Sequence, residues 1–458
     1  LTAAARAVFK SGVVLFALAL ALPGPAGAAA AAPTVFWFND PVGPDETVLV
    51  TGADLDAVTA VTIARLPDAG TGAPASAETE IPILQANPLS LKFVVPAALA
   101  PGIFRVTLRH AEGTQTLRVN LPTVYWAQGN LGDAASPGGR VQIFGRNIVR
   151  HARRARLLLV PDAPGTAATA ALDDGGPWRG RFRLPERMPT GAYRLRLSNG
   201  DGGDDEWVDA GRLEVRPAAP APSASFDVRA FGAIGDGKSD NLQAFNKAME
   251  AARSGGGGTV FIPRGRYLMS AGLVIPPGII LHGERTDLVN LVWPDFTSPP
   301  DSLIKGASRF AIEDLTIYAS NHLHILSGGF LGGDFPVQDA ADIAVRRVRI
   351  RASAFRGLMD PEATFRRMEE LRRAFPKSAP ASIRLSGARL EVVDCDVLGS
   401  GISLFLFKAS DAVVSGNIFS NGRNGFYSIM GSKRVIFENN LVTAADLQAS
   451  GGGIATVS

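Results

Sequence analysis

The sequence predicts an all-β chain: two β-sandwich modules, then a parallel β-helix with a short N-terminal capping helix and one helical insertion. Three observations predict it. A strand motif near residue 33 returns about 89 residues later. A strand, a glycine turn, a short helix and a second strand follow one another between Phe226 and Tyr267. Beyond residue 312, apolar triplets recur, the last of them spaced by about 21 and 23 residues, one coil of a parallel β-helix.

The chain has 458 residues, enough for about three domains. A formal net charge of +3 gives no global field that would draw nucleic acid. A single cysteine, Cys395, excludes an intrachain disulfide. Residues 1–32 read as an export signal: Arg6 and Lys10 are basic, Val13 to Leu22 is apolar, and Ala26-Gly27-Ala28 offers a cleavage site. The apolar run is too short to span a bilayer. The expectation is a secreted protein, extracellular or periplasmic, with no stable membrane insertion. A start at Leu1 and a stop at Ser458, just after a glycine-rich turn, suggest a piece of a longer chain with an incomplete β-helix.

The sandwich modules are expected at 33–121 and 122–217. Pro33-Thr34-Val35-Phe36-Trp37 returns as Pro122-Thr123-Val124-Tyr125-Trp126, and the strand from Thr47 to Asp54 returns as Arg140 to Asn147. Each copy has the length of one immunoglobulin-like domain, with short alternating strands between Pro/Gly turns. On these pieces the copies resemble IPT/TIG immunoglobulin-like modules. Trp37 and Trp126 occupy equivalent strand positions and are expected to pack in or near a core. The alternative, which also covers Trp178 and Trp207, is stacking on sugar rings. A Pro/Ala-rich linker spans 218–224.

The β-helix is expected over 225–458. Its opening alternates apolar and polar residues from Ser225 to Phe231, then turns at Gly232, Gly235 and Gly237. Ser239 or Asp240 can cap a helix carrying Leu242, Phe245, Ala248, Met249 and Ala252 at helical spacing. Gly255 to Gly258 stop it, and Thr259 to Ile262 is apolar again. Asp236 and Asp240 read as turn and cap residues rather than an acid–base pair. The run FGAIGDGKSDN, followed by Gly256 to Leu268, resembles the opening of the pectate-lyase-like right-handed β-helix superfamily. That resemblance covers residues 225–458. It implies one of several functions, among them polysaccharide hydrolases, lyases, epimerases and phage tailspikes.

The triplets pair Ile312, Leu315 and Ile317 with Val345, Val348 and Ile350, then Val392, Cys395 and Val397. The same phase continues as Val413, Gly416 and Ile418, then Ile436, Asn439 and Leu441. Cys395 reads as a core residue. Asp396, Asn417 and Asn440 appear aligned, the asparagines as an amide ladder. Pro361 to Phe375 has helical spacing and reads as the insertion.

Candidate chemistry lies in these coils. His322 and His324, two apart on a strand, could act as acid and base. Arg423 and Tyr427 could neutralise a uronate and move a proton, with Asn424 beside them. Arg347, Arg349 and Arg351 could pair uronate carboxylates, or belong to a solvated, salt-bridged face. Asp394, Asp396, Glu438 and Asp446 supply carboxylates for hydrolysis. No cofactor or metal site is identified, although carboxylates near coil turns could hold calcium. These features point to an enzyme acting on an acidic polysaccharide by β-elimination or hydrolysis. A non-catalytic glycan-binding or adhesion protein and a tailspike-like fibre are the alternatives. No nucleic-acid partner is expected, and no motif sets an oligomeric state.

Overall fold

A computed structural model describes residues 32–443 apart from 70–73, 219–222, 297–299, 321, 334, most of 354–380, 400–401 and 421–426. The export signal, Arg423, Asn424, Asp446 and most of the insertion helix lie outside the described residues. Of the insertion, Glu362, Arg366, Glu369, Glu370 and Arg373 are helical.

The chain divides into two compact units, one running to Leu121 and including Asp201–Asp205, the other holding Pro122–Gly200 and everything from Glu206. The first unit is a sandwich of two four-stranded antiparallel sheets. Val48, Val50, Leu91 and Phe93 of one sheet meet Val61, Ile63, Val106 and Leu108 of the other. Alternation puts these residues inward on every strand. Strand Thr34–Phe38 breaks it with a register shift between Val35 and Trp37. Val35 and Phe38 therefore both reach the core, and Trp37 is left 46% exposed. The expected core role of Trp37 is thus corrected.

The second sandwich repeats the plan, with the same shift between Phe144 and Gly145. Val124 and Ala127 pack inward, while Trp126 stacks on Phe144 at 4.7 Å. Strand Ala168–Gly175 pairs with both Arg156–Pro161 and Arg179–Arg183, which joins its two sheets.

From Ser225 the chain winds as a right-handed parallel β-helix with three faces. Face one stacks Ser225–Asp227, Gly258–Ile262, Ile279–Gly283, Phe310–Glu313 and Ala341–Arg346, then residues 388–393, 410–415 and 433–438. Face two runs from Asp236–Asp240 to Leu441–Thr443. Face three stacks Leu273–Ile275, Ser302–Gly306 and His324–Gly328, then 381–386, 402–407 and Tyr427–Met430. All pairings are parallel, so inward residues stack in continuous rows.

The opening folds nearly as expected. The strand is short, Ser225–Asp227, and a 3-10 turn occupies Val228–Phe231. Helix Leu242–Ser254 lays Phe245, Ala248, Met249 and Ala252 on the first coils. Asp236 accepts from Lys238 N, Ser239 N and Ser239 Oγ, and Asp240 from Leu242 N and Ser270. The Ser239 backbone N–H holds the Asp236 carboxyl below its ordinary range, and the Ser270 hydroxyl does so for Asp240. Both are turn residues.

Two corners carry left-handed residues coil after coil. Between faces one and two these are Asp314, Arg347, Asp394, Gly416 and Asn439. Between faces three and one they are Arg309, Asp342, Arg389, Asp411 and Arg434. Asp and Asn tolerate this conformation best. Three of these four arginines are held there by ion pairs to the neighbouring coil: Arg347 to Asp314, Arg389 to Asp342 and Arg434 to Asp411, at 2.6–2.7 Å.

The expected triplet phase holds for three coils and slips by one in the last two. Val392 pairs with Val414, and Asp396 with Ile418. Phe419 is buried, while Ile418 and Leu441 are 40% and 56% exposed. Asn417 therefore stacks under Cys395, not Asp396. Its Oδ1 accepts from Cys395 N, and its Nδ2 donates to Asn440 Oδ1 and Val392 O. The two asparagines form the expected ladder, and Asp396 stands outside it. No helix among the described residues is long and apolar enough to cross a membrane.

Candidate functional site

The middle of face three is buried on both sides: strand His324–Gly328 has no exposed residue. Inward, Ile304, Leu326, Ile383 and Leu404 form one row. The opposite row reads Lys305, Ser327, Arg384 and Phe405. Alternation in Ser382-Ile383-Arg384-Leu385-Ser386 thus sends its polar residues to the side away from the core.

The polar groups here are nearly sealed: His322, His324, Ser327, Ser382, Arg384 and Ser403 are each at most 3% exposed. Arg384 Nε donates to Ser327 Oγ at 3.3 Å, and its guanidinium carbon lies 4.1 Å from the Phe330 ring centroid. Ser327 Oγ also meets Ser302 Oγ at 2.7 Å. Ala381 N donates to His324 Nδ1 at 3.2 Å. In neutral His324 the proton therefore sits on Nε2. That Nε2 has no partner, and neither do His322 Nδ1, Ser382 Oγ and Ser403 Oγ. Burial pushes His322 down to about 4, and it drives His324 well below its usual range with help from Arg384. Both imidazoles are neutral at pH 7.

Buried polar groups without partners are costly. Here His324, Ser382 and Ser403 belong to stacked face-three strands, one of which carries the buried Arg384, and His322 lies just before the first of them. Neutral Nε2–H and guanidinium donors suit an anionic oxygen; the hydroxyls can donate or accept.

The corner between faces one and two gathers other expected residues. Arg347, Arg349, Asp394 and Asp396 line one cleft with Arg285 and Asp314. Asp396 is gripped by both Arg351 nitrogens and lies 3.6 Å from Arg349. Arg346 bridges Glu313 and Glu391 at 2.5 Å each. The partners of this arginine run are thus acids of adjacent coils. Inside the insertion, Glu362 pairs with Arg366. Glu438 is tied to Arg179 and Arg181 of the second sandwich. Tyr427 begins its strand in register with Leu404, three strands from His324 and roughly 14 Å away across the backbone. The structure therefore groups His322 with His324, and Asp394 with Asp396 and the arginines. It does not bring Tyr427 or Glu438 to either group.

His282, Glu313 and Asp314 present ligand atoms within 4.8 Å of one another, a geometry a cation could use. Arg346 and Arg347 already neutralise both carboxylates, so a metal would have to displace guanidinium groups. Cys395 is in the core, as expected, and burial pushes its thiol up to about 12.

The sequence signature described as rhamnogalacturonase A/epimerase, pectate lyase-like, matches residues 225–299. The match falls on the opening coils of the parallel β-helix. Among curated relatives, mannuronan C5-epimerase AlgE3 of Azotobacter vinelandii is 32% identical over 155 residues, covering 30% of this chain and 8% of that one. Alginate lyase 7 of the same organism is 32% identical over 145 residues, 28% of this chain and 17% of that one. The chain thus spans less than a fifth of either relative. The solved A-module of Azotobacter vinelandii AlgE6 is 19% identical with a TM-score of 0.37, covering 48% of this chain and 56% of that structure.

Sequence reading missed Arg384, Ser382 and Ser403. The signal was present as serine, arginine and serine alternating with Ile383 and Leu385.

Proposed function

We propose that the protein is an exported enzyme that abstracts the C5 proton of a uronate within an acidic polysaccharide, using face three. The observation that carries this reading is the sealed cluster of Arg384 with two neutral, incompletely bonded histidines. The matched relatives by name include mannuronan C5-epimerases and an alginate lyase, and removal of the C5 proton is a step both reactions can share. Export is supported by the basic, apolar and small-residue order of residues 1–32.

In this mechanism Arg384 pairs the uronate carboxylate. His324 Nε2–H donates to the same carboxylate as negative charge builds on it, as a neutral imidazole can. His322, whose Nδ1 has no partner, is the candidate base. Its neutral state at pH 7 leaves it able to accept a proton, and the arriving carboxylate raises its affinity for one. Protonation of the C5 carbanion on its opposite side, by water reaching that side, gives epimerisation, and His322 passes its proton to solvent. Loss of the C4–O bond gives a lyase.

Entry of a sugar ring requires the cover to move. Phe330 caps Arg384, and it is flanked by Gly328, Gly329, Gly332 and Gly333. Gly329 and Gly333 both have positive φ, the freedom a hinge needs.

The test exposes the purified full chain to polymannuronate, polyguluronate and polygalacturonate. Absorbance near 235 nm reads unsaturated ends, proton NMR reads C5 inversion, and a reducing-end assay reads hydrolysis. Inversion or absorbance supports the reading. Reducing ends without either would move the chemistry to Asp394 and Asp396, and silence in all three would favour a glycan-binding protein.

A further inference from the structure

The second sandwich and the β-helix enclose a cleft of about 240 Å³, lined by Gln128, Gln142 and Arg181 on one side and by Arg389, Glu391 and Asp411 on the other. Its charges are already matched. Arg389 pairs with Asp342, Glu391 with Arg346, Asp411 with Arg434, and Arg181 with Asp174 and Glu438. Gln142 Oε1 accepts from Arg179 at 3.4 Å.

Gln128 is different. It is 4% exposed, lines the cleft, and its Oε1 has no hydrogen-bond partner. Two residues earlier on the same strand face, the buried Trp126 Nε1 also lacks one. The first atom is an acceptor and the second a donor, roughly 7 Å apart along the strand. A native fold rarely leaves such atoms unmatched inside. A carboxylate would serve only the donor. A hydroxyl serves either, and would equally suit Gln128 with its amide turned over. Trp126 and Phe144, which stack on each other, lie on the strands that carry Gln128 and Gln142, beyond the residues that line the cleft. The cleft is smaller than the roughly 300–1,000 Å³ of a drug-sized site, so it fits one sugar ring and not an extended chain.

We propose that this cleft is a binding site for a neutral sugar unit, separate from face three. Gln128 Oε1 accepts from one ring hydroxyl.

The test is saturation-transfer NMR of the full chain with mannobiose, cellobiose and galactobiose, titrated to obtain affinities. At least one disaccharide binds, and Gln128→Leu weakens it about tenfold, the effect of one lost hydrogen bond. Gln128→Leu keeps or raises Tm, because an unmatched polar atom is removed at nearly constant volume. His324→Gln leaves disaccharide binding unchanged. Should Gln128→Leu fail to fold, Gln128→Met gives the same test, since it keeps the length of the side chain and removes the amide. No binding by any of the three disaccharides, or wild-type affinity in the folded variant, overturns the proposal.

Discussion

At the corner between faces one and two, Arg346, Arg347 and Arg351 each hold acids of a neighbouring coil. On face three, two imidazoles and two hydroxyls stand sealed without complete bonding. The corner charges have a structural reason to be there: they hold left-handed residues in place and neutralise one another. Solvent also reaches them, so each pair contributes little. The face-three groups have no such reason. Their burial costs stability, and the cost makes sense if a ligand completes the bonds. An arginine-rich run is thus a weaker sign of function than one arginine buried among unmatched neutral groups.

This contrast can be broken by mutation. The largest effect is expected at face three. His324→Gln lowers kcat on a uronate polymer by about 10²–10³, the usual loss for one donor to a developing oxyanion. Polymer turnover measured beside Tm checks it; a loss matched by unfolding would make the residue structural.

Acid should act on face three through His322. His322 titrates near 4 when folded and near 6.5 when unfolded, so between those values the unfolded chain binds more protons. Stability is whole above pH 6.5 and falls as pH drops toward 4, by about 3 kcal/mol for this residue. Urea midpoints from pH 7 to 4 measure it, and His322→Gln should flatten the slope.

Asn417→Leu should cost about 1–3 kcal/mol, because it strands Cys395 N and Val392 O inside the coil stack. Chemical denaturation reads the loss. Smallest is Arg347→Ala, whose 44%-exposed guanidinium meets Asp314 in solvent. We expect at most about 1 kcal/mol and turnover within about twofold of wild type. A turnover collapse in Arg347→Ala would put the chemistry at the corner.

The sequence made the opening legible because glycines, cap residues and helical spacing all agree between Phe226 and Tyr267. Coil phase was legible where polar residues flank the apolar ones, as at Ile312 and Val345. It failed where apolar residues are adjacent, as in Val413-Val414 and Ile418-Phe419, since either phase then satisfies the pattern and a slip of one reverses every side chain. Trp37 misled because a bulge breaks alternation without marking the sequence. His322 and His324 stood out as a pair. Their partners Arg384 and Ser382 lie more than fifty residues onward, and only coil stacking brings them alongside.

Solvent-deuterium incorporation at C5 of a uronate polymer reads proton abstraction whether the outcome is inversion or cleavage. It should be compared in wild type, His324→Gln and Asp396→Asn. The account predicts exchange in wild type, about a hundredfold less in His324→Gln, and nearly wild-type exchange in Asp396→Asn. Exchange that survives in His324→Gln and disappears in Asp396→Asn would contradict it.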